Sequence, residues 1–155
     1  MLNTEFKVKI IEVSPDNKEV KELINKLDKF QISLYGIEYC NLDSIEELKE
    51  NKAYILGAYV DETLVGIGAV KLFETYGELK RMFLEEAYRG KGIAEKIIWK
   101  LENHIEKMGL KKIYLETGYL QKSALNFYKK LGYYEVEQFG SYKPNQVSIY
   151  LLKEV

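Results

Sequence analysis

The stretch that decides the fold is Gly77-Glu78-Leu79-Lys80-Arg81-Met82-Phe83-Leu84-Glu85-Glu86-Ala87-Tyr88-Arg89-Gly90-Lys91-Gly92-Ile93-Ala94. Gly77 to Leu84 reads as a strand, and a loop with two glycines follows it. Ile93, Ala94, Ile97, Ile98, Leu101, Ile105 and Met108 then recur at helical period, so a long helix starts at about Lys91 or Gly92 and Gly109 ends it. The first turn of a helix has backbone N–H groups without internal partners, and its dipole adds partial positive charge. A diphosphate fits such a place. Gly90 and Gly92 remove the Cβ atoms that would hold an anion away, and Arg89 and Lys91 add positive charge at the mouth. The two glycines alone fit an ordinary basic turn equally well.

On the N-terminal side, Phe6 to Val13 alternates like a strand, and Ser14-Pro15-Asp16 opens a helix to about Leu34 with Val20, Leu23, Ile24 and Leu27 on one face. Tyr35 to Leu42 reads as an irregular connection, and Asp43 or Ser44 caps a short helix through Glu50. Ala53 to Val60, Leu64 to Phe73 and Gly77 to Leu84 are strands joined by turns short enough to force antiparallel pairing. On the C-terminal side Lys112 to Thr117 is a strand, and Ala124, Phe127, Tyr128 and Leu131 mark a helix ended by Gly132. Tyr133 to Gln138 and Val147 to Lys153 are closing strands around a loop from Phe139 to Gln146. The fold class is therefore mixed α+β: about seven strands, mostly antiparallel, with helices on the faces. The pair flanking the Gly92 helix is parallel by crossover.

The 155 residues point to one domain over residues 1–155, long enough to bury roughly two thirds of the surface of its unfolded chain. The single cysteine, Cys40, excludes an internal disulfide framework, and the N-terminus lacks the basic and apolar regions of a signal peptide. The expectation is a cytoplasmic protein. The net charge of -1 gives no reason to expect nucleic acid or a membrane surface as partner. No His/Cys/Asp cluster has metal-ligand spacing, so no metal is expected. Cys40 has no activating partner in the sequence for an acyl-cysteine mechanism. His104 sits off the helical stripe and reads as exposed.

Two other phosphate loops are excluded by single residues. A P-loop needs a lysine and a Ser/Thr after its last glycine, but Ile93 follows Gly92. A dinucleotide fingerprint needs a third glycine where this chain has Glu95.

Arg89, Gly92 and Ala94 match Q/R-x-x-G-x-G/A, and with the preceding strand they resemble the central motif of the GNAT superfamily of N-acetyltransferases. Ala124-Leu125-Asn126-Phe127-Tyr128-Lys129-Lys130-Leu131-Gly132-Tyr133 is similar to that family's second signature, A-x-x-F/L-Y-x-x-x-G-F/Y. Order, separation and strand pattern agree, so the resemblance covers nearly the whole chain. One departure is Glu86, where a proline is common. The resemblance implies a GNAT-like twisted sheet whose strands 4 and 5 splay, acetyl-CoA as co-substrate, and a primary amine of a small molecule or peptide as acceptor. The backbone of Arg89, Gly90, Lys91, Gly92, Ile93 and Ala94 would hold the pyrophosphate, and Met82, Phe83 and Leu84 would pair with the pantetheine arm like an added strand. Gln121 stands where many members have an asparagine, and Asn126 is a further cofactor-side candidate.

Tyr128 matches the tyrosine that serves many members as general acid; on periodicity alone it belongs to the apolar stripe. Glu78 stands where some members carry a glutamate base, and on strand parity it shares a face with Lys80, Met82 and Leu84. It reads equally as a salt-bridged strand residue, and Glu116 is a second candidate base. In the family the segment after the first helix and the last loop wall the acceptor. Here those supply Tyr35, Glu38, Tyr39 and Tyr142, an aromatic and mildly acidic set that suits a cationic amine. The alternative is a non-catalytic acyl-CoA sensor, which would need neither Tyr128 nor Glu78. The chain is expected to be a monomer or homodimer.

Overall fold

In the computed structural model, residues 7–40, 42–143 and 145–155 are described. Phe6 and Pro144 lie outside the described residues. The N-terminal strand β1 (Val8–Glu12) leads to helix α1 (Lys18–Tyr35) and the short helix α2 (Ile45–Glu50). Strands β2 (Tyr54–Val60), β3 (Thr63–Leu72) and β4 (Gly77–Leu84) form an antiparallel meander. The crossover helix α3 (Ile93–Lys107) leads to β5 (Lys112–Gly118), and α4 (Lys122–Lys130), β6 (Tyr134–Val136) and β7 (Ser148–Glu154) complete the chain. The strands form one sheet in the order β1-β2-β3-β4-β5-β7-β6, in which β4 and β5 alone run parallel.

Local chemistry sets the helix starts. Asn17, rather than Asp16, caps α1: its side chain accepts from the N–H groups of Glu19 and Val20. Ser44 caps α2 in a reciprocal box with Glu47, which leaves Asp43 for another task. Gly92 is the first residue before α3, at φ 82, where L side chains are strained. The α3 face packs Ile93, Ile97, Ile98, Leu101 and Ile105 against one side of the sheet, and each is essentially fully buried. Each such burial contributes roughly 1.5–3 kcal/mol. On the other side Val20, Leu23 and Ile24 of α1, with Leu48 of α2, cover Ile55, Leu64, Ile67 and Ala69.

Three expectations are corrected by end effects and packing. Met108 is 54% exposed, because α3 stops at Lys107 and the chain turns at Gly109 with φ 81. His104 is half-buried, stacked on Tyr54 at 3.8 Å, and burial lowers its pKa despite nearby Glu12. The expected strand from Tyr133 to Gln138 shortens to β6, since Tyr133 turns inward to donate to Glu102 at 2.9 Å.

The correction that matters most is in β4. Ile67 pairs with Phe83 but Ala69 pairs with Lys80, so β4 carries one extra residue at Arg81, whose φ is 57. A bulge resets the alternation. Glu78 and Lys80 keep one face, on the α1 side, but Met82 and Leu84 move to the α3 side, where Met82 Sδ lies over Gly68 beside Ile97. Phe83 packs toward α1. The bulge is pinned by Arg81, whose guanidinium donates to the Asp28 carboxylate of α1 and to the Asp43 carbonyl. Left-handed backbone at a non-glycine residue costs about 1–3 kcal/mol, which these charged bonds offset.

The close seat of α3 over β3 depends on Gly68, where a Cβ would stand 2.7 Å from Ile97 and overlap Met82. Gly68→Ala is expected to lower stability by about 1–3 kcal/mol through overpacking. The check is the midpoint of urea unfolding, which an unstrained site would leave in place.

Candidate active site

Three spaces that share lining residues surround the parting of β4 and β5. The two strands pair only at Gly77 with Ile113, Glu78 with Tyr114 and Leu79 with Leu115. Beyond Leu79 the bulge bends β4 and the strands diverge. The gap is a cavity of about 100 Å³ lined by Leu79, Met82, Leu115, Glu116 and Tyr128 among others.

On the α3 side the gap opens into a cleft of about 450 Å³. Of the residues expected there, Met82, Phe83, Leu84, Arg89, Gly90, Gly92, Ile93, Ala94, Gln121 and Tyr128 line it. Gly90 and Gly92 have φ of 75 and 82, and a Cβ built on either meets no heavy atom within 4 Å. The space a Cβ would fill at each is therefore open beside the start of α3, and these residues fit a diphosphate. Arg89 folds back: its Nε donates to the Leu84 carbonyl at 2.9 Å and its guanidinium covers the Phe83 ring at 5.9 Å. That carbonyl is already engaged, leaving Met82 and Phe83 as the strand residues with more to offer a pantetheine arm. Lys91 is exposed and is not among the lining residues; nor is Asn126, exposed on α4. Sequence reading missed Leu27 and Phe30, which α1 contributes to the opposite wall. Leu27 extends the apolar stripe of α1, but the stripe does not say what it covers.

Tyr128 is 8% exposed and lines both this cleft and the gap. Burial alone pushes its phenol well above the usual range, so it holds its proton at neutral pH. Gln121, the residue just before α4, shapes the gap: its Oε1 accepts from Gly118 N–H at 3.2 Å, from the Thr117 hydroxyl at 3.4 Å and from the Tyr35 hydroxyl at 3.3 Å. Tyr35 is not a free wall residue. Its ring lies against Gly118, where any Cβ would collide with it, and its oxygen accepts from Leu120 N–H at 3.2 Å. An isolated glycine near a strand end is the sequence signal for such an approach.

On the α1 side lies a third space, a cleft of about 750 Å³ between the segment from Glu38 to Asp43, the β3–β4 turn and the last loop. Tyr39 and Tyr142 line it, and Glu78 stands in it, 3% exposed. The Tyr142 hydroxyl donates to Glu78 and accepts from Lys80 Nζ at 2.8 Å. Lys80 Nζ lies 3.6 Å from both Glu78 and Asp43, and Lys71 Nζ lies 3.7 Å from Asp43. The floor is thus a buried network of opposite charges, beneath the aromatic and acidic residues Glu38, Tyr39 and Tyr142 read from the loops. Lys71, Lys80 and Asp43 went unrecognised because they come from separate segments. Rings of Phe73, Tyr76, Phe139 and Tyr142 form one side of the cleft. Burial, and then the Glu78 charge, push the Tyr142 phenol far above its usual range.

Glu116 lines the gap and accepts from the Ser148 hydroxyl at 2.5 Å. Cys40 lines the α1-side cleft, its thiol pushed up by burial and by Glu116 and its Sγ donating to the Gly36 carbonyl at 3.3 Å. A raised thiol pKa disfavours the thiolate that an acyl-cysteine route needs.

The fold thus presents a parted sheet, two glycines with open space beside a helix start, and a buried phenol lining both the gap and the α3-side cleft. The chain belongs to the acetyltransferase (GNAT) family, whose model matches residues 16–133, and it is an N-acetyltransferase by class. An IAA acetyltransferase of Azospirillum brasilense is 32% identical over 94% of this chain and 97% of its own length. A spermine/spermidine N(1)-acetyltransferase of Bacillus subtilis is 31% identical over 57% of this chain and 65% of its own. The PaiA N-acetyltransferase of Thermoplasma acidophilum, solved in complex with coenzyme A, has the same fold, with a TM-score of 0.77 at 22% identity over 96% of this chain and 99% of that one. The family uses acetyl-CoA. No described helix is long and apolar enough to cross a membrane.

Tyr128, Tyr133 and Tyr142 all have raised phenol pKa values, caused first by burial. Their contribution to stability is complete below the unfolded value of about 10 and is lost as pH rises toward the folded values, because the unfolded chain then releases protons the folded chain keeps. Stability is expected to fall above about pH 10, with these three tyrosinates appearing only on unfolding. Tyrosinate absorbance recorded alongside urea unfolding checks this.

Proposed function

We propose that the protein transfers an acetyl group from acetyl-CoA to a primary amine of a small molecule or peptide, by direct attack in a ternary complex. The observation that carries this reading is the gap between β4 and β5: Tyr128 lines both the gap and the cradle-side cleft, and Lys80 lines both the gap and the opposite cleft. Two reactants entering from opposite sides would meet there, and holding them together supplies much of the rate. The amine acceptor is further supported by the Bacillus subtilis relative that is named for spermine and spermidine.

In this proposal the N–H groups at Arg89 to Ala94 hold the pyrophosphate, and the open edge of β4 at Met82 and Phe83 receives the pantetheine arm. The amine nitrogen attacks the thioester carbonyl, the C–S bond breaks, and Tyr128 gives its proton to the departing sulfur. A neutral phenol at neutral pH suits that donor role. The proton leaving the amine passes, directly or through water, to a carboxylate. Glu116 stands at the gap. There it accepts from Ser148, and Glu78 accepts from Tyr142 and neighbours Lys80. We place the base role on Glu78, with Glu116 as the second candidate. A sensor that only binds acyl-CoA would need the cradle but neither the buried phenol nor the second cleft.

Tyr128→Phe is expected to lower kcat about 100-fold, as loss of a general acid does, with little change in coenzyme A affinity. Unchanged turnover removes Tyr128 from the reaction. Gly92→Val is expected to lower coenzyme A affinity at least tenfold by calorimetry while the circular dichroism spectrum is retained. Undiminished binding by the folded variant rejects the cradle.

A further inference from the structure

The cleft on the α1 side holds two lysines that acetyl transfer itself does not require. Lys71 on β3 and Lys80 on β4 project from neighbouring strands into the same floor, their side chains 13% and 9% exposed. Burying an ammonium is costly unless oxygen atoms surround it. Each ammonium has three donors. Lys80 spends one on the Tyr142 hydroxyl. Its two carboxylate neighbours stand at 3.6 Å, and the Lys71–Asp43 separation is 3.7 Å, which are ion-pair rather than hydrogen-bond distances. Asp43 Oδ2 is itself buried without a hydrogen bond. One carboxylate is therefore shared by two ammonium groups, and the other, Glu78, is shared by Lys80 and Tyr142. The remaining close neighbour of Lys71 is the Phe73 ring, at 5.5 Å.

Among the described residues, Lys71 is thus left with no hydrogen bond and Lys80 with one, although the two carboxylates balance the two ammonium charges. We propose that the acceptor carries a carboxylate in addition to its amine, and that Lys71 and Lys80 hold that carboxylate on the cleft floor while the amine reaches the gap. Lys80 lines both spaces, so the two groups of one small molecule can bridge them. The rings of Phe73, Tyr76 and Tyr142 cover the carbon skeleton between. A polyamine would bring further positive charge beside Lys71 and Lys80, against carboxylates, Asp43 and Glu78, that those lysines already occupy. The acids that would welcome it, Glu38 and Glu47, are at the exposed rim, where screening leaves little attraction.

This inference rests on the reading of the gap as the transfer site, and its test separates the two. Steady-state kinetics on matched pairs that differ only in the carboxylate (tyrosine and tyramine, ornithine and putrescine, lysine and cadaverine) are measured with the full chain and acetyl-CoA. In at least one pair the amino acid is expected to exceed its decarboxylated amine at least tenfold in kcat/KM. Lys71→Met is expected to bring that ratio close to one, and Lys71→Arg to restore most of it. Unchanged coenzyme A affinity in both variants shows that they are folded; if Lys71→Met does not fold, the ratio in the wild-type chain and in Lys71→Arg decides. Transfer to amines with a ratio at or below one, or a ratio that Lys71→Met leaves unchanged, overturns the carboxylate site and leaves the amine reading standing. Bound acetyl-CoA with no transfer to any amine overturns both.

Discussion

β4 and β5 part after Leu79 and Leu115, and the site depends on that parting. Two parallel strands that continued to pair would spend their N–H and C=O groups on each other and leave no opening through the sheet. The separation is enforced at Arg81, where one extra residue in a left-handed conformation bends β4 away. Arg81 holds it by donating to the Asp28 carboxylate of α1 and to the carbonyl of Asp43, immediately before α2. The bulge therefore ties together the sheet, the first helix and the segment that walls the second cleft. It also turns Met82 toward α3 while Lys80 stays on the α1 side. One chain segment thereby serves two clefts with different chemistry.

Those clefts divide the work by polarity. The α3 side presents backbone donors at a helix start and apolar side chains, a combination suited to a long chain ending in a diphosphate. The α1 side presents buried charges of both signs held in a network around Asp43 and Glu78. Between them stands a phenol kept neutral by burial. The cost of burying the charges is met by their mutual attraction only while every member stays in place, so the last loop, through Tyr142, helps to organise Glu78 and Lys80 as well as to enclose the cleft.

Much of this was legible in the residues, for physical reasons that differ by element. The α3 stripe and the β2–β3–β4 meander are local patterns, and the structure reproduces them with shifts of a few residues. Gly90 and Gly92 pointed to a positive-φ cradle, and both have positive φ. The bulge was not legible. An arginine gives no local hint of left-handed backbone, and its partner Asp28 lies 53 residues away. That single hidden residue also explains why strand parity placed Met82 and Leu84 on the wrong face. The charged floor was hidden for a related reason: alternation tells which residues share a face, but not that Lys71, Lys80 and Asp43 converge from three segments. Tyr35, expected in the acceptor wall, packs on Gly118 and lines a small space with Tyr39, Cys40 and Glu116, while Asn126 was expected near the cofactor and lies exposed on α4.

The central claim is that the gap between β4 and β5 is where the two reactants meet. A crystal structure of the protein with coenzyme A tests it most directly. The account predicts the pyrophosphate on the N–H groups between Arg89 and Ala94, the pantetheine arm along Met82 and Phe83, and the sulfur in the gap within hydrogen-bond reach of the Tyr128 hydroxyl. Coenzyme A bound with its sulfur outside the gap, or with its pyrophosphate away from the start of α3, would contradict it.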